Sequence, residues 1–171
     1  LQEAYDWLER ALKLAREHNK LLIVSAAKAG LARLFLEDHL LEEAEAQAVA
    51  SVTMLAEILT KRTGRAVKRV SGVAWRILGE VLAKVPQKEI KVNINGRIFD
   101  ATDCFTTSLN LWNDLGDAER LEKAHTLRQW AIYELHCGNG KQFATKRAEA
   151  YAIYQQLGYE EEAMYTKELL A

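Results

Sequence analysis

The chain has 171 residues, of which 49% are hydrophobic and 27% are charged. These proportions are typical of one folded domain and exclude a disordered, collagen-like or low-complexity chain. The single proline and the nine glycines also argue against collagen and low-complexity linkers, and the lack of a long apolar run excludes a membrane-spanning helix. Two cysteines are too few for a disulfide scaffold and favour a reducing compartment, for which we expect the cytoplasm.

The formal net charge of −1 conceals an uneven distribution of charge along the chain. Residues 1–60 carry six Lys or Arg and ten Asp or Glu, residues 61–97 carry ten and two, and residues 98–171 carry seven and twelve. The basic block 61–97 can attract an acidic partner. The alternative is a solvated face whose cations are neutralised by acidic neighbours within the fold. The sequence leaves both interpretations open.

Apolar residues recur at i, i+3, i+4 and i+7 along most of the chain, which is the period of an α-helix. The first predicted helix covers residues 2–18 and carries an apolar stripe that begins at Ala4 and Leu8. The pattern then breaks at 18–20, 37–39, 63–64, 115–117, 137–140 and 157–158, and Pro86 ends the helix that precedes it. The sequence therefore predicts an all-α protein.

Residues 90–96 are the exception, because they alternate apolar and polar side chains with a period of two. They close on Asn95-Gly96, the strongest short signal for a hairpin. An isolated hairpin is marginally stable in water. We therefore expect residues 86–97 to form an ordered loop of extended character that packs on helices, and we expect no strands elsewhere.

Two consecutive stretches share their spacing with a known helical repeat. The first has the spacing W-x-x-L-G-x-x-L and consists of Trp75, Leu78, Gly79 and Leu82. The second has small and aromatic residues at helical spacing and consists of Gly96, Ala101, Phe105 and Ser108. Helices approach closely only where a small residue faces its neighbour and bulky residues fill the space on either side. The pattern resembles the tetratricopeptide repeat (TPR), a pair of antiparallel helices.

Equivalent positions elsewhere give the period of the repeat. The markers Ala4, Ala44, Ala101 and Phe143 are 40, 57 and 42 residues apart, and the longest interval contains an insertion of ten residues. The Leu-Gly pairs at 115–116 and 157–158 are also 42 residues apart. A period of about 40 to 42 residues resembles the long-period TPRs of bacterial signalling proteins.

The resemblance implies a single domain over residues 1–171, a right-handed α-solenoid of about three and a half repeats. It has a lone second helix at 2–18, repeats at 22–60, 65–115 and 118–157, a terminal helix at 160–170 and a loop insertion at 86–97. Each repeat buries its apolar face on its neighbours. Because the first helix lacks its partner and the chain begins without Met, we expect a fragment of a larger protein, with the N-terminal helix covered by another chain or an upstream repeat.

Motifs for catalysis or metal binding are missing from the sequence. It contains no P-loop, G-x-G-x-x-G, H-E-x-x-H, C-x-x-C or G-x-S-x-G motif. The adjacent His136 and Cys137 would point to different faces of a helix, which suits a metal site poorly. We expect no enzyme activity, no catalytic residues, no metal and no cofactor. Cys104 and Cys137 are expected to be neighbouring free thiols, and Trp7 is expected to be half exposed.

In TPR arrays the first helix of each repeat lines an inner groove that holds extended or helical peptides. Transferred to this chain, the groove positions include a basic track with a histidine beside it: Arg33, Arg69, Arg76, Lys84, His125 and Arg128. The resemblance therefore implies a partner with an acidic or phosphorylated segment. The asparagines of the chaperone-binding carboxylate clamp are missing at the matching positions, so a chaperone-tail receptor is disfavoured. Nucleic acid is disfavoured because the flanks are acidic.

The sequence thus predicts a non-catalytic protein- or peptide-binding TPR module, the scaffold or sensor region of a larger regulatory protein. The alternative is a self-association module that forms a homodimer through the N-terminal helix. An enzyme or metalloprotein with an unusual helical site is a third hypothesis. We expect no membrane partner.

Overall fold

A computed structural model describes residues 2–84 and 91–169, and over these ranges the chain is all-α apart from one short hairpin. The eight helices are α1 (Gln2–Glu17), α2 (Leu21–Glu37), α3 (Leu41–Lys61), α4 (Arg65–Lys84), α5 (Ala101–Leu115), α6 (Arg120–His136), α7 (Gly140–Leu157) and α8 (Glu160–Glu168). A 3-10 turn over Asp117–Glu119 precedes α6. Pro86 and position 170, where two helices were expected to end, lie outside the described residues.

Helices that are adjacent in the sequence pack against each other as antiparallel pairs. The most extensive contacts join α2 to α3, α4 to α5, and α6 to α7. The first helices of these pairs also contact each other in series, α2 with α4 and α4 with α6. Therefore α2, α4 and α6 lie side by side and point in the same direction.

Four of the turns between helices share one backbone geometry. Asn19, His39, Gly138 and Gly158 each have a positive φ, between 51° and 77°. In every one of these turns the N–H of the next residue donates to a carbonyl five positions earlier, at 2.8 to 3.0 Å. This is the Schellman motif, which satisfies carbonyl groups at a helix end. His39 thus stands at a position of an inter-helix turn where glycine is common.

Small residues of α4 lie where its neighbours approach most closely. A Cβ on Gly79 would lie 3.0 Å from Cε1 of Phe105, and one on Gly72 would lie 2.4 Å from Cζ2 of Trp112. Ala101, at the start of α5, is also buried. The small-against-large contact expected at Gly79 is therefore present, Ala101 is buried as expected, and the glycines of α4 allow its close approach to α5.

The segment expected to be an extended loop forms a hairpin instead. Strands β1 (Val92–Ile94) and β2 (Arg97–Phe99) pair antiparallel, with Val92 opposite Phe99. Asn95 and Gly96 both adopt a positive φ, as a two-residue hairpin turn requires. The ring centroids of Phe99 and Trp75 are 4.7 Å apart. This packing on the helices stabilises a hairpin that would be marginal alone; the predicted residues 86–90 lie outside the described part of the chain.

Candidate functional site

A groove of about 580 Å³ opens between α1, α2 and α4. Its floor is made of small and aliphatic residues, mainly Leu8, Ala26, Ala29, Gly30, Ala66, Val70, Val73 and Ile77. Its rim carries Arg33, Arg69, Arg76 and Glu122. Three of the predicted basic residues therefore border one apolar groove. Such a groove can bury apolar side chains of a ligand while the rim pairs with its polar groups.

Two rim arginines are already paired with carboxylates of the same face. Arg33 donates from Nη1 to Glu80 Oε2 at 2.9 Å and from Nε to Glu37 Oε1 at 3.0 Å. Arg76 donates from Nη1 to Glu122 Oε2 at 2.7 Å, and its Nε lies 3.6 Å from Glu80 Oε1. These ion pairs form a connected series, Arg33–Glu80–Arg76–Glu122, that joins α2, α4 and α6, and we call it the ion-pair ladder.

Glu80 is the centre of this ladder and is only 7% exposed. Burial raises the pKa of Glu80, and the nearby Arg33, Arg76 and Arg128 oppose that rise. Its Oε1 accepts no hydrogen bond from the described residues, although Arg76 Nε is close. The Glu80 carboxylate pairs with Arg33 and Arg76 and cancels part of their charge, so this stretch of the groove is less positive than the sequence implied.

Arg69 lies on the other side of the groove and remains accessible. Arg69 Nε lies 3.2 Å from Glu119 Oε2, and Arg65 Nη2 donates to Glu119 Oε1 at 3.1 Å. Glu119 is buried, whereas the side chain of Arg69 is 58% exposed. Lys68 also pairs with Asp114 at 2.9 Å. Several cations of the basic block are therefore neutralised by acidic residues of the segment 98–171.

His125 and Arg128 lie in an aromatic layer between α6, α7 and α8. The Arg128 guanidinium lies 5.4 Å from the ring centroid of Tyr154 and 5.5 Å from that of Tyr165. Tyr154 Oη and His125 Nδ1 are 2.8 Å apart. Burial, together with the charge of Arg76, lowers the pKa of His125, and burial raises the pKa of Tyr154 to about 12. Both groups are therefore uncharged at neutral pH.

Lys84 lies apart from the groove, at the exposed end of α4. It borders a second cavity of about 320 Å³, which Arg33, Glu80 and Gln129 also line. The structure thus brings Arg33 and Arg76 together at Glu80, and it places Arg128 over Tyr154 and Tyr165. Arg69 and Lys84 lie toward opposite ends of α4.

The sequence left open that acidic neighbours neutralise the basic block, but it did not identify the acidic residues that do so. Neither Glu80 nor Glu119 nor Glu122 was predicted to pair with a basic residue of the groove. A helical spacing of four residues between Arg76 and Glu80 is a visible signal. The contacts of Arg33 with Glu80 and of Arg76 with Glu122 join residues 47 and 46 positions apart, and these depend on how the helices are aligned.

The outer face of α1 is exposed, and it is not the face of the apolar stripe that begins at Ala4 and Leu8. Trp7 is 63% exposed, and Leu14 is more than half exposed two turns later. The opposite face, which includes Leu12 and Ala15, packs on α2. Helix α1 therefore has two apolar faces, of which the described residues cover one.

The metal-ligating side chains and the cysteines of the described residues form no site of their own. Among the described residues, no group of three or more His, Cys, Asp or Glu side chains could hold a metal ion. Cys104 and Cys137 are free, and burial raises the pKa of the Cys104 thiol, which is therefore protonated at neutral pH. No helix within residues 2–84 and 91–169 is long and apolar enough to cross a membrane.

The face formed by α2 and α4 thus carries the groove and the ion-pair ladder. The groove is apolar at its floor and charged at its rim. No protein-family model matches the chain, and comparisons with curated proteins and with solved structures find no match.

Proposed function

We propose that this chain is a non-catalytic protein- or peptide-binding module with a TPR-like solenoid fold, the scaffold or sensor region of a larger regulatory protein. The groove between α2 and α4 is the observation that carries the proposal. A partner segment lying in the groove buries apolar side chains over Ala26, Ala29 and Val73. Its carboxylates or phosphates pair with arginines at the rim.

A recurring hydrogen bond supports the repeat arrangement. Ser51 Oγ on α3 donates to the carbonyl oxygen of Ser25 on α2 at 2.7 Å. Ser108 Oγ on α5 donates to the carbonyl oxygen of Gly72 on α4 at 2.8 Å. The two bonds span 26 and 36 residues. The difference of ten residues equals the insertion expected from the spacing of the markers, so the bonds occupy equivalent positions in two repeats.

Burial supports a third repeat in the same frame. Ala124 on α6 and Ala150 on α7 are fully buried and are also 26 positions apart. A large and fully buried side chain lies one turn after the small residue of each second helix (Ser51, Ser108 and Ala150). These large side chains are Leu55, Trp112 and Tyr154. Equivalent positions thus carry equivalent burial in three helix pairs, which is expected of stacked repeats.

The pairing of the arginines limits what kind of partner fits. Arg33 and Arg76 are held by Glu80, Glu37 and Glu122, so their charge is largely satisfied within the chain. Arg69 is also paired, with Glu119 at 3.2 Å, but its side chain is 58% exposed, so it is the most accessible arginine on the rim. We therefore propose that apolar contacts with the floor supply most of the affinity and that a carboxylate near Arg69 sets the orientation of the partner.

Peptide selection tests this function with no particular partner assumed. A random peptide library displayed on phage is selected against the chain, and the affinities of synthetic copies of the selected peptides are measured by fluorescence anisotropy. Ala26→Trp and Ala66→Trp fill the groove from exposed positions and should weaken binding by at least about tenfold, roughly 1.4 kcal/mol. The matched controls Ala46→Trp on α3 and Ala152→Trp on α7 are also exposed but lie outside the groove.

Peptides that bind the wild type and all four variants with equal affinity would place the binding surface elsewhere and overturn the groove assignment. Replacing the Asp and Glu residues of a selected peptide by Asn and Gln tests the charge component. The affinity should fall and its dependence on salt should become weaker, because the ion pair with Arg69 is lost.

A further inference from the structure

We propose that two copies of this chain form an antiparallel dimer through a surface other than the groove. This surface is the edge of the molecule at which α1, α3, α5 and α7 end and α2, α4, α6 and α8 begin, and we call it the turn edge. The connections α1–α2, α3–α4 and α7–α8 are only two or three residues long, and the 3-10 turn joins α5 to α6. All four connections therefore lie along the same edge.

The N-terminal part of the turn edge combines a hollow with free cations. A hollow of about 550 Å³ lies between the α1–α2 turn, the end of α3 and the start of α4. Its apolar lining is Leu21, Leu22, Ile23, Ile58 and Val67, and Leu21 is 55% exposed. Lys20, Lys61 and Arg62 surround it, and they form no ion pair with any residue of the described ranges.

The C-terminal part of the same edge has the complementary character. Tyr159, in the α7–α8 turn, is 40% exposed, and Leu157 beside it is also exposed. Glu160 and Glu161 follow in the first turn of α8; both are exposed, and no cation within residues 2–84 and 91–169 pairs with them. An aromatic side chain flanked by carboxylates is thus presented at the end of the edge opposite the basic hollow.

Exposure of apolar side chains points to the same two places. Ten large hydrophobic residues of the described chain are exposed, and four of them, Leu21, Ile23, Leu157 and Tyr159, lie at the two ends of the turn edge. Apolar side chains clustered within a charged rim are typical of protein contact surfaces.

The charges select a second copy of this chain as the occupant. A copy related by a two-fold axis and lying antiparallel along the edge places each acidic end against the basic hollow of its partner. The same contact then forms twice and the assembly closes as a dimer. A parallel arrangement would instead oppose like charges. In the antiparallel dimer Tyr159 enters the apolar hollow, while Glu160 and Glu161 face Lys61 and Arg62.

Sedimentation velocity and light scattering over a wide concentration range test the dimer. The wild type should dimerise with an affinity that falls as salt is added. Lys61→Glu with Arg62→Glu reverses the basic end, and Glu160→Lys with Glu161→Lys reverses the acidic end. Each double variant alone should raise the dissociation constant by at least about a hundredfold, because both contacts then oppose like charges.

An equimolar mixture of the two double variants is the decisive sample. In the mixed dimer the acidic end created by Lys61→Glu with Arg62→Glu faces the basic end created by Glu160→Lys with Glu161→Lys. The unchanged acidic end of the first variant faces the unchanged basic end of the second, so both contacts are attractive again. The mixture should therefore dimerise although neither variant does alone. Circular dichroism confirms that both variants are folded, which they should be because the four substituted side chains are exposed.

The proposal would be overturned by a wild type that is monomeric at every concentration, by double variants that still dimerise, or by a mixture that stays monomeric although both variants are folded. Trp7→Glu, on the outer face of α1, should leave the dimer unchanged; its loss in that variant would place the contact on α1 instead. Ala26→Trp should also leave the dimer unchanged, so the dimer is tested independently of the peptide-binding groove.

Discussion

His39 follows α2 in a left-handed backbone conformation that residues other than glycine adopt at a cost. Its φ is 61°, and the turn is closed by the N–H of Leu40, which donates to the carbonyl of Phe35 at 2.8 Å. This conformation costs an L-residue roughly 1–2 kcal/mol. Glycine avoids that cost, but part of the gain is lost because the unfolded chain with glycine has a greater entropy. We expect His39→Gly to raise the free energy of unfolding by about 0.5–1 kcal/mol, measured by urea denaturation.

The turn after α7 supplies the matched control, because Gly158 occupies the same position at a φ of 77°. Gly158→Ala should lower the free energy of unfolding by about 1 kcal/mol. If both substitutions leave the stability unchanged, the left-handed geometry does not contribute as argued.

His125 makes the stability of the fold depend on pH in a defined direction. Burial and the neighbouring Arg76 lower the pKa of its imidazole below the ordinary value of 6.5. The unfolded chain then binds a proton more readily than the folded chain, so this contribution to stability is complete above about pH 6.5 and is lost as the pH falls toward the folded pKa.

The variant His125→Gln removes the titrating group and keeps a polar partner for Tyr154. We expect the wild type to lose more stability than this variant between about pH 8 and about pH 5, measured by urea denaturation at each pH. Curves that run parallel over this range would contradict the assignment, since the other histidines are shared by both proteins.

At the scale of helices, the packing of α4 against α5 depends on glycines that face aromatic rings. Trp112 cannot retreat from Gly72, because it is almost fully buried and its Nε1 donates to Thr126 Oγ1 at 3.0 Å. A methyl group at Gly72 would overlap the indole, so we expect Gly72→Ala to lower the free energy of unfolding by about 2–3 kcal/mol.

The same substitution at Gly79 should cost less than at Gly72, about 1 kcal/mol or below. The added methyl group would lie 3.0 Å from the Phe105 ring, and the better helix propensity of alanine offsets part of the overlap. Gly140→Ala, where no atom lies within 4 Å, should raise the stability slightly. Thermal and urea denaturation of the three variants test this order, and equal effects at Gly72 and Gly140 would contradict it.

Local patterns predicted most of the helices, because helical periodicity and the breaks at turns are properties of neighbouring residues. The Asn95-Gly96 turn was equally visible, but the hairpin was interpreted as a loop. Its stability comes from Phe99 packing on Trp75, and this contact between distant segments is not encoded in the local pattern. Sequence reasoning therefore found the turn and missed the strands that flank it.

The candidate site, like the hairpin, could be predicted only in part from the sequence. The repeat frame placed Arg33 and Arg76 on the face that carries the groove. It did not reveal that Glu80 and Glu122 hold them, because those pairs require the register between α2, α4 and α6. Periodicity therefore indicates which residues line the groove, whereas tertiary contacts determine how much of the charge of these residues is left unpaired.

At the scale of the whole molecule, the cations of the basic block 61–97 divide into those that form ion pairs within the chain and those that do not. Within the helix stack, Arg76 and Lys68 of the basic block pair with Glu122 and Asp114 of the acidic C-terminal segment. Cations at the N-terminal part of the turn edge, such as Lys61, find no such partner among the described residues. Ion pairs within the chain thus neutralise most cations of the groove, and the cations that form no ion pair among the described residues include those on the turn edge.

The order of contacts along the chain also determines how the molecule should unfold. Within the described residues, α1 makes its main contacts with α2 alone and α8 with α7 alone, whereas α4 contacts α2, α3, α5 and α6. In a stack of this kind the stability is approximately a sum over neighbouring units, so the end helices open most readily. We expect amide hydrogen exchange to be fastest in α1 and α8 and slowest in α4 and α5, measured by mass spectrometry on the dilute chain.

Leu12→Ala supplies a control for this gradient, because Leu12 is buried in the contact between α1 and α2. The variant should accelerate exchange in α1 and leave α4 protected, since the lost contact belongs to the end of the stack. Uniform protection of all helices in the wild type, or equal acceleration of α1 and α4 in the variant, would show one all-or-none unit. The end-to-centre gradient of stability would then be wrong.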